Sequence, residues 1–80
     1  MSIQKKLSNM EMNKTGEVAY IKCNGDERRR FLDLGIVKGT KVTPVLISPL
    51  GDPRAYEIRG TVIAIRKEDA DKIYIFDIYE

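Results

Sequence analysis

Eighty residues fit one domain, and a chain of that length holds a core worth only about 3–5 kcal/mol net. A hydrophobic fraction of 42% with a charged fraction of 32% excludes a disordered tail and describes a folded globular domain. Fourteen basic against twelve acidic side chains leave a net charge of +2, too small and too interleaved for an electrostatic footprint on nucleic acid or anionic lipid.

The opening residues 1–6 predict a flexible start, with residues 7–80 forming a single domain. Leu7 and Met10 share one face of a helical turn, and Thr15-Gly16 punctuates the chain before a strand. Over residues 17–23 the alternation predicts a half-buried strand, with Val18, Tyr20 and Lys22 on one face and Ala19, Ile21 and Cys23 on the other. Asn24-Gly25 reads as a turn, and Asp26 as the N-cap of a helix starting at Glu27. Gly35 ends that helix as a left-handed residue, which places Phe31 and Ile36 in the contact usual for such endings. Two turns do not survive alone, so Phe31, Leu32, Leu34 and Ile36 are expected to clamp the helix to a sheet.

Val37-Lys38-Gly39-Thr40 has the form of a β-turn with glycine third. The strand after it, residues 40–47, should turn Val42, Val45 and Ile47 inward, and Pro44 demands a sheet edge or a bulge. Pro49, Gly51, Asp52 and Pro53 make a stiff connection before a second alternation that sets Tyr56 and Ile58 against Glu57 and Arg59. Gly60 suits a kink at a barrel corner, and residues 61–66 are apolar enough to be covered on both faces or to bend round a barrel. A polar helical turn over 67–72 and a final aromatic strand complete the chain. Five short strands, one short α-helix and no repeats predict a mainly β fold, a small SH3-like β-barrel. An oligonucleotide-binding barrel would need an aromatic, basic face that is missing here.

The order and spacing of "LDLG" (32–35), "KGT" (38–40), "PLGDP" (49–53) and "GTVIAIRKEDADKI" (60–73) resemble the FeoA family, small cytoplasmic proteins associated with bacterial ferrous-iron transport. The resemblance covers roughly residues 7–75. Lys38 stands where members usually carry proline, a departure that a type II turn tolerates. The tail "YIFDIYE" extends the last strand with aromatics, has no assigned family role, and reads either as extra core or as an apolar edge for pairing with another chain, a route to self-association. The resemblance implies an SH3-fold accessory to a membrane ferrous-iron permease with a cytoplasmic GTPase domain. It also implies a cytoplasmic protein, recruited by that partner to the inner face of the membrane and not inserted into it.

The chemistry of the chain points away from catalysis. There is no histidine, which removes the commonest general base and metal ligand together. The single cysteine, Cys23, excludes an internal disulfide and has no base to activate it. Glu68, Asp69 and Asp71 do not converge on a short helical turn, so no metal site, cofactor or catalytic residue is expected. Contact with another macromolecule remains. Leu50, Asp52 and Arg54 on the 49–54 loop are the leading candidates, because a preordered loop loses little entropy on binding. Arg28 and Arg29 on the helix are weaker ones, since consecutive helical residues fan out rather than form one patch. Two other readings stay open: a protein-contacting module like the SH3-like C-terminal domain of metal-dependent repressors, and a small nucleic-acid-binding barrel.

Overall fold

The computed structural model describes residues 4–77. Six antiparallel strands form one sheet: β1 (Gln4–Lys6), β2 (Gly16–Ile21), β3 (Lys41–Ile47), β4 (Arg54–Ile58), β5 (Thr61–Ile65) and β6 (Ile73–Asp77). Their order across the sheet is β1-β6-β2-β3-β4-β5. Two helices, α1 (Gly25–Asp33) and α2 (Lys67–Ala70), and a 3-10 turn at Leu7–Asn9 complete the fold. The sheet curls around one apolar core in which Leu7, Met10, Phe31, Ile36, Tyr56 and Ile75 are all at most 1% exposed.

Residues 4–6 correct the expectation of a loose start. They pair with β6 in the register Gln4↔Phe76, Lys5↔Ile75 and Lys6↔Tyr74. The reason is that β6 would otherwise present an unpaired apolar edge, and a short lysine-bearing strand covers it. The segment that follows behaves as its spacing requires: Met10 donates its N–H to the Leu7 carbonyl, and both side chains are buried.

The alternation predicted for β2 fails at one residue. Val18 lies opposite Ile75 and Tyr20 opposite Tyr74, so Ala19 is an extra residue in a bulge. Val18, Ala19 and Ile21 are therefore all buried, while Tyr20 turns outward and stacks on Tyr74 with ring centroids 4.8 Å apart. Gly16, at the head of β2, is packed tightly. A Cβ there would stand 2.9 Å from Ile75 Cδ1 and 3.0 Å from the Phe76 carbonyl oxygen.

The helix α1 begins at Gly25, with Asn24 at the N-cap, two residues before the predicted start; Asp26 and Glu27 occupy its first turn, beside the positive end of the helix dipole. Its end follows the sequence. Gly35 has φ 87°, its N–H binds the Leu32 carbonyl at 2.9 Å, and the Ile36 N–H binds the Phe31 carbonyl at 2.9 Å. Only Phe31 and Ile36 reach the core; Leu32 and Leu34 are 45% and 39% exposed, because a two-turn helix lying on a curved sheet buries a narrow stripe.

β3 carries a bulge next to Pro44, one of the two options that proline left, and the place of the bulge turns Ile47 outward rather than inward. The register passes from Pro44↔Tyr56 to Leu46↔Ala55, leaving Val45 unpaired. That one-residue slip leaves Val42 and Pro44 buried but turns Leu46 and Ile47 out, 63% and 50% exposed. Pro44 sits beyond the last β2–β3 pair, Gly16↔Val42, so its missing donor is not needed by β2, and its carbonyl accepts the Asn13 N–H at 2.7 Å. Gly60 is not a corner kink. Ile58 pairs with Thr61, and Arg59 and Gly60 have φ of 53° and 82°, the signature of a two-residue type I′ hairpin.

Candidate functional site

The candidate surface is the β3–β4 connection and what surrounds it. The Gly51 N–H donates to the Ser48 carbonyl at 2.8 Å, closing a turn with Pro49 and Leu50 at its centre. The Asp52–Pro53 peptide is cis, and the Ser48 N–H returns to the Pro53 carbonyl at 3.2 Å. Two prolines and two backbone bonds thus fix the loop. Leu50 at its tip is 94% exposed, so this side chain does not fold back on the core.

Asp52 and Arg54 hold structure as well as surface. Asp52 Oδ1 accepts the Lys67 N–H at 2.8 Å, satisfying a free donor in the first turn of α2 from a distant loop. Arg54 Nη1 donates to the Met10 carbonyl at 2.8 Å. Burial pushes the Tyr56 phenol above its ordinary value, against the opposing pull of Arg54. Asp52, Arg54 and Tyr56, with Ser8 and Lys67, line a cleft of about 120 Å³ below the loop. Leu46 and Ile47, the last residues of β3 before the loop, are exposed apolar side chains as well. Sequence reasoning missed them, since the signal that would have found them is the bulge at Val45.

The arginines of α1 are dispersed. Arg28 Nη1 donates to the Ile21 carbonyl at 3.3 Å and ties the helix start to the end of β2. Arg30 pairs with Asp69 at 3.0 Å and lies 5.4 Å from the Phe31 ring centroid. Arg29 is exposed and has no ion pair or hydrogen bond among the described residues. The structure shows no direct contact between these side chains and Leu50. It connects the two regions through α2, which Asp52 meets at Lys67 and Arg30 meets at Asp69.

Elsewhere the polar groups serve the fold. The Ser8 hydroxyl donates to Asp71 and Lys67 reaches it at 3.2 Å; the Ser8 hydrogen bond above all, and then Lys67, hold the Asp71 carboxyl below the usual carboxylate range. Lys72 bonds Glu27, which raises its ammonium pKa. Cys23 packs half-buried against the core, and burial pushes its thiol up. Among the described residues no three of His, Cys, Asp and Glu gather as a metal-ion set. Nor is any helix among them long and apolar enough to cross a membrane.

A family model described as the FeoA domain matches residues 5–76, nearly the whole chain. The chain belongs to the FeoA family. Among solved structures it is similar to a FeoA-like protein from Clostridium acetobutylicum, with a TM-score of 0.89, 31% identity, and coverage of 100% of this chain and 93% of that one. A FeoA protein from Stenotrophomonas maltophilia, described as a prokaryotic SH3 domain protein, gives a TM-score of 0.78 at 27% identity over 89% of this chain and 88% of that one. The SH3-like, mainly β FeoA fold is therefore the fold of this chain. A curated relative from Porphyromonas gingivalis, an Fe(2+) transport protein A/Fe(2+) transporter FeoB fusion protein, is 33% identical over 70 residues. The match takes in 88% of this FeoA-family chain but only 8% of the fusion protein.

Proposed function

We propose that this FeoA-family domain is a non-enzymatic accessory of bacterial ferrous-iron uptake. It docks on the cytoplasmic GTP-binding part of a membrane ferrous-iron permease through the 49–54 loop. The observation that carries the partner is the Porphyromonas gingivalis relative, in which a domain like this one is joined in one chain to the transporter. Joining two binding partners makes their encounter intramolecular and raises the effective concentration without new contacts, which suits a pair that works together. Docking biases the permease's cytoplasmic domain toward one state, by no more than the difference in affinity for the two states.

What supports the loop as the contact is its stiffness together with the exposure of Leu50, a large apolar side chain held away from its own core. Leu50→Asp is the test. A pull-down of the permease's soluble GTP-binding domain should lose the variant, while its thermal transition stays within about 0.5 kcal/mol of the parent. Retained binding would remove the loop from the reading. Asp52, Arg54 and Arg28 are poorer probes, since each also holds backbone in place; Arg29→Glu is the clean variant on α1.

A further inference from the structure

The two free edges of the sheet are built in opposite ways. At one end, β1 is three residues long and carries Lys5 and Lys6, the usual protection of an edge against foreign strands. At the other end, β5 reads Thr-Val-Ile-Ala-Ile, with no charge, no proline and three β-branched residues besides its threonine. Among the described residues no strand pairs with its outer side.

The hairpin register fixes which backbone groups lie open. In a two-residue hairpin the closing pair is hydrogen-bonded, so Ile58–Thr61, Tyr56–Ile63 and Arg54–Ile65 exchange bonds across β4–β5. The N–H and C=O of Val62 and Ala64 therefore point away from β4. Beside them runs a groove of about 370 Å³ lined by Phe31, Leu34 and Ile63, with Arg66 and the Arg30–Asp69 ion pair among its polar lining. At the hairpin end of β5, the Arg59 side chain lies against Gly35.

We infer that the open edge of β5, with the α1 groove, accepts an extended segment of a partner protein as a seventh strand, and that this segment carries acidic residues at its ends. Val62 and Ala64 supply two donors and two acceptors to the incoming backbone. Alternate side chains of the guest enter the apolar groove, as in other edge-strand recognition. The cations that flank β5 and have no acidic partner among the described residues, Arg59 on one side and Arg66 on the other, choose the charge of the guest and space its acids by about seven residues at ~3.3 Å each. The same ends argue against a second copy: antiparallel self-pairing about Ile63 would set Arg59 opposite Lys67 at both ends. The inference shares with the docking reading only the premise that the partner is a protein.

The test uses the whole chain and synthetic peptides. A peptide of alternating Val and Thr flanked by Glu is titrated into isotopically labelled protein at low salt, against the same peptide flanked by Lys. Shifts and exchange protection at the Val62 and Ala64 amides are expected with the acidic peptide, and binding about tenfold weaker with the basic one. Ala64→Pro removes only an outward N–H and should weaken the acidic peptide by at least about tenfold. Should that variant not fold, Arg66→Glu on the rim serves instead and should narrow or reverse the charge preference. Edge amides that do not respond, equal binding of both peptides, or the same shifts on concentrating the protein alone would overturn the inference. Because no permease is present, failure here leaves the loop-docking reading standing, and failure of the permease pull-down leaves this one standing.

Discussion

Ser8 shows how a single hydroxyl can report on the fold. It bonds the Asp71 carboxylate, joining the 3-10 turn at Leu7–Asn9 to the end of α2, and it is the largest influence lowering that carboxyl's pKa. A carboxyl lowered in the folded state adds stability that is fully present above its unfolded value, about 3.9, and is lost as pH falls through the folded value. Ser8→Ala should therefore raise the Asp71 pKa in a carboxyl NMR titration. The variant should be less stable than the parent at neutral pH, and the gap should close on acidification below about pH 4. A gap that persists at pH 2 would assign the loss to packing rather than to the carboxylate.

At the scale of elements, the legible parts were those where local chemistry and tertiary contact agree. Gly35 had to be left-handed, so the end of α1 and its Phe31–Ile36 contact could be read directly. Tyr56 and Ile58 alternate cleanly in β4 and are both buried. The bulge in β3 was marked by Pro44, which called for an edge or a bulge, though not the outward turn of Ile47. The bulge at Ala19 has no such marker and reverses every later side chain of β2. Of the candidate site, the stiff loop follows from Pro49, Gly51 and Pro53, whereas the exposure of Leu50 needed the structure. The structural duties of Asp52 and Arg54 do not, since their partners Lys67 and Met10 lie 15 and 44 residues away. The helix stripe gives a paired prediction. Phe31→Ala should cost about 3–5 kcal/mol, enough to unfold most of a domain this small, while Leu32→Ala should stay below about 1 kcal/mol in denaturant titrations.

For the whole molecule, the corrected start of the chain matters most. β1 was expected to be loose, yet it pairs along β6 and shields one limit of the sheet. Removing residues 1–6 should lower the unfolding free energy by about 1–2 kcal/mol and promote aggregation through β6, measured by thermal unfolding and light scattering. Unchanged stability would mean that the β1 pairing adds nothing. The same pairing has an architectural result. Gln4 and Phe76 face each other across one ladder, about 5 Å apart, so the chain enters and leaves the barrel at nearly the same point. A longer polypeptide can be spliced to either side without stretching the barrel or rerouting its own path, and a tether from there pivots on one spot. Such a unit can be joined to a larger protein as readily in one chain as kept apart in two.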